Sequence, residues 1–370
     1  MIAADVLSTG PRGRRMLLAY ALEAERAARP EYDENSFGSA VFRASYQLDP
    51  GRGRTRVVYG AGTEGPQWPE IAPEEVARRL AQVPLPEVTA LDLRSALVDA
   101  VDTARYWQDP DGEDILVATV PVRQELRRVA EHIAGSPDAQ WWGTGVARDD
   151  QWLVGWDNGD ECGVQASVPP PAADRLRNWH TRVSEAEARA ERDRPTDATA
   201  NWSGEWWSAP LTHMWASSRT LADGNPAGVW FVEDSMGWDR AFARRVTVPP
   251  GAAVLEVDDA DTWVDLCRRF PLEVTAEKRH DWYRTTGRDG RWVIPDWQRV
   301  AEHHAGVHLT VAGYLSAAGT AIDVDTDTAS VIAGWAADET FWLTDAVVPD
   351  EVPVVWVRDD QVWNREPTMR

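Results

Sequence analysis

Three consecutive prolines, Pro169-Pro170-Pro171, followed by a breaker-free charged stretch to Arg194 and then Pro195, constrain this chain more than any other feature. Proline fixes φ and lacks an N–H, so neither a helix nor a central strand runs through the triplet. From Ala172 to Arg194 the interleaved Glu185, Glu187, Arg189, Glu191 and Arg192 suit a solvated connector helix rather than a partner-binding one. Pro195 to Ala200 reads as a linker. A length of 370 residues, against about 100–200 residues per domain, predicts two domains. Residues 1–195 form an α+β unit ending in the connector helix, and residues 201–370 form a unit richer in strands.

Apolar residues make up 43% of the chain, enough for a sizeable core. No run reaches the roughly 18 apolar residues of a membrane-spanning helix. Arg12, Arg14 and Arg15 precede only a short apolar stretch, Met16 to Leu22, and Glu23 and Glu25 follow without a small-residue cleavage site. That is not a signal peptide, and a cytoplasmic protein is expected. Cys162 and Cys267 stand far apart, which predicts buried or half-buried thiols rather than a disulfide framework or a zinc knuckle. The net charge of −22 argues against tight binding of duplex nucleic acid and, by self-repulsion, for a monomer or weak oligomer. Arginine supplies nearly all the positive charge, Lys278 being the only lysine. The 21 tryptophans are scattered through both halves without a period, which favours core packing over a stacking platform.

Periodicity predicts helices at Gly13–Ala28, Pro73–Ala81, Leu91–Tyr106 and Pro121–Ala134, with strands at Ala40–Tyr46, Arg54–Tyr59, Ile115–Val120 and Trp152–Trp156. After the linker, strands are expected at Leu211–Ser217, Gly228–Glu233, Arg245–Val248, Val254–Val257 and Val354–Val357. Ser330–Gly334 and Thr340–Leu343 read as a strand pair. Helices are expected at Trp238–Arg244, Asp261–Phe270, capped by Asp258 or Asp259, and Trp297–His304. Val307–Tyr314 is an apolar strand or buried turn.

Phosphate-binding glycine loops, nucleophile elbows and paired zinc-binding histidines are absent. His304 and His308 have helix-face spacing, but Gly306 ends the helix between them, so no metal is expected. His308 sits in an apolar run, as a core histidine bonded to backbone or as a pocket histidine. Arg284 and Arg288 form a small basic patch on an acidic chain. Two carboxylate pairs, Glu233-Asp234 and Asp338-Glu339, end predicted strands. Such positions line an active-site rim or serve turns and solvation.

The stretches Ser8 to Arg15 and Ala104 to Asp114 resemble a family of tryptophan-rich actinobacterial proteins. The order of motifs in the second half resembles the ADP-ribosyltransferase fold. A polar-clustered strand, Leu211 to Arg219, comes first, followed by Pro226 to Ser235 and Val254 to Asp259. A glutamate directly before a strand, Glu339 to Leu343, comes last. The resemblance implies a mixed or antiparallel sheet with flanking helices, NAD as substrate, and transfer or hydrolysis of ADP-ribose. It implies Glu339 as the anion at the ribose, with Asp338 beside it. His213 would bind the adenosine ribose, Arg219 the pyrophosphate, and Trp230 or Trp238 would stack on the nicotinamide. Ser217 and His308 complete the implied NAD-binding set. The alternative from the residues is a non-catalytic interaction or regulatory protein, with the tryptophans in cores and on a binding surface.

Overall fold

Short polar residues mark where helices begin. Ser36, Thr89, Asp111, Asp259, Asp296 and Thr310 each accept a backbone N–H from the first turn that follows, satisfying donors that a helix start leaves unpaired. The computed structural model describes residues 2–31, 33–52, 69–156, 170–210, 214–234, 237–360 and 362–366. Its helices are α1 Ala4–Thr9, α2 Pro11–Ala28, α3 Phe37–Leu48, α4 Pro73–Leu80, α5 Ala90–Asp102, α6 Gly112–Ala118, α7 Val120–Ala134, α8 Ala172–Asp193, α9 Ala260–Arg269, α10 Thr275–Thr286, α11 Trp297–Val300 and α12 Val311–Ala317. Its strands are β1 Gln151–Trp156, β2 Trp215–Arg219, β3 Arg240–Thr247, β4 Val254–Val257, β5 Pro271–Glu273, β6 Arg291–Pro295, β7 Gly306–Leu309, β8 Ile322–Asp323, β9 Thr328–Ser330, β10 Glu339–Trp342, β11 Val348–Pro349, β12 Val354–Asp359 and β13 Val362–Arg365. The protein is mixed α/β.

Among the described residues the main sheet runs β13-β12-β3-β1-β2-β10-β7-β4, with β11 attached to β3. Its pairings are antiparallel except β4 with β7. A smaller sheet runs β5-β6-β9-β8. β1 precedes the Pro195–Ala200 segment, yet it pairs with β2 and β3, which follow it.

Successive strand residues face opposite ways, and the two faces of the main sheet bury different things. Val307, Leu309, Phe341 and Val257 join Leu17, Leu97 and Leu126 from the helices in one core. The opposite face carries a smaller cluster of Trp342, Val246 and Val347. Tryptophan fills the larger core where sheet and helices meet. Trp335 packs edge-on against Trp297 (5.6 Å between ring centres), Trp263 (6.1 Å) and Phe341 (5.2 Å). Each indole N–H in this group has an acceptor: Trp263 donates to Ser330 Oγ, Trp297 to the Ser208 carbonyl and Trp335 to the Glu339 carbonyl, all at 3.0 Å.

Several expected elements differ. Residues 40–46 lie in α3, because Phe37, Ala40, Val41 and Ala44 are buried at helical spacing behind the Ser36 cap. Ile115 falls in α6 rather than in a strand, because Asp111 caps a helix there and Gly112 lets it start hard against α3. A Cβ on Gly112 would lie 1.8 Å from the Ser45 carbonyl oxygen. Residues 240–244 are strand, not helix, since Ala241 and Ala243 alternate into the sheet beside β1. Gly228 to Glu233 forms a 3₁₀ turn, Ala227–Val229, followed by loop. β9 and β10 belong to different sheets instead of pairing. The strand expected at Arg54–Tyr59 lies outside the described residues, as do Leu211 to His213.

Candidate functional site

The two carboxylate pairs close on one turn. In each, the aspartate takes a left-handed backbone, Asp234 at φ 48° and Asp338 at φ 60°, a conformation in which Asp is among the few side chains tolerated. Each aspartate is then consumed by structure. Asp234 accepts from Arg105 Nε (2.9 Å) and Trp107 Nε1 (3.0 Å). Asp338 accepts from Arg219 Nε (2.7 Å) and from the Arg219 backbone N–H (3.1 Å).

The glutamates are used differently. Glu233 Oε2 accepts the Trp335 N–H at 3.1 Å, and Glu339 Oε2 accepts the Ala336 N–H at 3.0 Å. Consecutive peptide nitrogens lie less than about 4 Å apart, so the two carboxyls share one neighbourhood. Gly334, at φ 70°, makes the turn that presents both amides, and the buried Trp335 ring anchors it. Both glutamates are half-buried. Burial pushes Glu339 up to about 7, the Ala336 amide opposing it. Burial pushes Glu233 up to about 8 against the phenols of Tyr106 and Tyr314 and the turn amides.

The other face of β10 holds a second polar cluster. Arg219, Asp338 and His308 come together there with Thr340 and Glu256. His308 Nδ1 lies 2.8 Å from Thr340 Oγ1, while Nε2 lies 3.6 Å from Asp338 Oδ1 and 3.9 Å from Glu256 Oε2. Burial, then Arg219, holds His308 down to about 3, so its ring is neutral. Burial raises Asp338 to about 6 despite Arg219, and it also raises Glu256. The line Asp338–His308–Thr340 has the order of a hydrolase triad, but Thr340 is 0% exposed and no substrate reaches its hydroxyl. Arg219 also donates to Thr144 Oγ1 and the Gly145 carbonyl and stacks on Trp141 at 4.6 Å. A pyrophosphate contact would require breaking that set.

The remaining expected residues scatter. Ser217 is buried, donating to Gln151 Oε1 (2.6 Å) and accepting from Trp342 Nε1 (2.8 Å). Trp230 has the Arg94 guanidinium over its ring at 4.0 Å. Trp238 stacks on Trp156 at 5.1 Å. His213 lies outside the described residues. Tyr106, Tyr314 and Glu256 joined these clusters unannounced. Each sits singly in an apolar or turn context, and only the fold brings them to the carboxylates. Among the described residues no group of three or more His, Cys, Asp or Glu side chains is arranged to hold a metal, and no helix is long and apolar enough to cross a membrane.

These shifts set a pH dependence. A carboxyl raised in the folded chain binds its proton more tightly there than in the unfolded chain. Above the unfolded value of 4.5 the folded state therefore carries the extra protons, and stability declines as pH rises through the folded values. The decline begins near the unfolded values of 4.5 and 3.8 and runs up to about 8 for Glu233, about 7 for Glu339 and about 6 for Asp338, so between pH 6 and 8 the two glutamates carry most of it. Each contributes at most about 1.4 kcal/mol per pH unit, and partial exposure of the glutamates trims the total to about 2–4 kcal/mol. His308 acts oppositely at lower pH, withdrawing stability as pH falls from 6.5 towards 3. Denaturant midpoints should therefore fall from pH 6 to 8, and less so in Glu233→Gln. A flat or rising midpoint in the wild-type chain would contradict the assignment.

No protein-family model, curated protein or solved structure matches the chain.

Proposed function

We propose that this chain cleaves the nicotinamide–ribose bond of NAD and passes ADP-ribose to water or to an acceptor. The observation that carries the reading is the pair of half-buried carboxyls, Glu233 and Glu339, on consecutive amides of one rigid turn. Cleaving that bond builds positive charge on the ribose, and a preoriented anion in a partly dry site stabilises it. Glu339, near 7, is half ionised at neutral pH and becomes the anion as pH rises above that value. Glu339 opens β10, at the start of a strand, which is the position the resemblance implies for the anion at the ribose.

The experiment is calorimetry of the full chain with NAD. Binding is expected at or below millimolar cofactor. His213→Ala should weaken it, because a residue that holds the adenosine ribose acts on ground and transition states alike. No heat of binding at millimolar NAD would end the reading and leave the non-catalytic interaction protein in its place.

A further inference from the structure

A cavity opens between α5, the 3₁₀ turn Pro137–Gly143 and the loops on either side of Ala227–Val229. Trp141, Trp142 and Phe231 give it aromatic walls, and Leu97 adds aliphatic surface. The two indoles stand nearly at right angles, at 85° with 6.4 Å between ring centres, so they make two sides of a corner. Trp142 and Phe231 are 1% and 3% exposed, and close packing fixes their rings. The cavity measures about 40 Å³. At roughly 10–15 Å³ for one water, that is room for about three or four heavy atoms.

Most of the charge around this cavity is already paired. Arg94, in the lining, donates to Asp223, and its guanidinium covers the Trp230 ring at 4.0 Å. Arg219 covers Trp141 at 4.6 Å and is paired to Asp338 at 2.7 Å. The half-buried Asp138 carboxylate, also in the lining, has no partner among the described residues. One negative charge is therefore left over beside two indoles. A carboxylate and an indole face both attract cations, and the tryptophans here already carry two guanidinium groups. Arg94 Nε is buried without an acceptor, which calls for an oxygen nearby.

We propose that this cavity binds the head group of a small quaternary ammonium compound that carries an oxygen close to its nitrogen. A nitrogen bearing three methyl groups fills the space. Its charge is spread over methyl hydrogens, so it leaves water readily and packs against aromatic walls. A primary ammonium would give up hydrogen bonds to water that a single carboxylate cannot replace. Asp138 supplies the counter-charge, the two indoles and Phe231 the aromatic surface, and Arg94 Nε the donor to the oxygen. The net charge of −22 draws cations to the chain as a whole. This site is independent of the NAD reading and stands whether or not NAD is cleaved.

The test is titration of the full chain with choline, followed by NMR of the ligand methyl signal, beside dimethylbutanol, the neutral isostere with carbon in place of nitrogen. Choline should bind at about millimolar concentration or below, and the neutral alcohol about tenfold more weakly. Tetramethylammonium, which lacks the oxygen, should fall between them. Asp138→Asn keeps the size of the side chain and should weaken choline about fivefold while leaving the alcohol unchanged. Asp138 has no side-chain partner to lose, so the fold should persist. A trimethyl-lysine peptide should bind no more tightly than choline, since the cavity holds only the head group. A preference of about tenfold for the peptide would overturn the small-molecule assignment in favour of a modified protein. Tetramethylammonium binding as tightly as choline would overturn the part given to Arg94. Equal binding of choline and the alcohol, choline binding unchanged in Asp138→Asn, or no binding at about 10 mM choline overturns the site.

Discussion

Glu339→Gln is expected to slow nicotinamide release about a hundredfold, the scale of losing one main electrostatic stabiliser worth about 3 kcal/mol. The substitution keeps shape and a carbonyl oxygen for the Ala336 amide, so the turn should persist. It removes only the charge that the transition state needs. Folding should survive, and at pH 8 the variant should be slightly more stable than the wild-type chain, because a raised carboxyl no longer has to ionise in a partly dry place. Thermal unfolding at pH 6 and pH 8 beside the rate assay separates the two effects. A variant that folds and retains its full rate would remove Glu339 from the chemistry.

Arg219→Ala is expected to cost about 3–5 kcal/mol of stability, the penalty for leaving a buried charge without its partner. Asp338 is 1% exposed, and both its oxygens are held by Arg219, one by the side chain and one by the backbone. Truncation removes the side-chain half of that pair, the stacking on Trp141 and the tie to Gly145. Arg219→Lys should recover little, because an ammonium cannot span several acceptors with the geometry of a guanidinium fork. The cost should shrink near pH 5, where Asp338, at about 6, takes up a proton and no longer needs a cation. Chemical denaturation at pH 7 and pH 5 measures both parts. A loss below about 1 kcal/mol at pH 7 would mean that the pair is not buried as described.

Helices with strong start signals were legible in the sequence. Pro73 with its acidic first turn gave α4, Asp259 gave α9, and the breaker-free stretch after Pro171 gave α8. Short apolar runs were not. Residues 40–46 and 115–118 carry alanine, valine, isoleucine and leucine in runs too brief to separate a period of two from one of 3.6, and their caps decided for helix. Residues 240–244 went the other way: expected within a short helix, Trp238–Arg244, they are strand because they pair with β1. The carboxylate pairs stood out in the sequence because each ends an apolar stretch. Their division into structural aspartates and available glutamates depends on two left-handed residues and one turn, and long-range contacts set those. Tyr106 and Tyr314 were invisible as site residues, since a lone tyrosine in an apolar segment reads as core until the fold shows what its hydroxyl meets.

The measurement that bears most directly on the account is a time course of nicotinamide appearing from millimolar NAD in the presence of the purified full chain at neutral pH, with Glu339→Gln beside it. The account predicts steady release by the wild-type chain and about a hundredfold less from the variant. No release, or equal release by both, would contradict it.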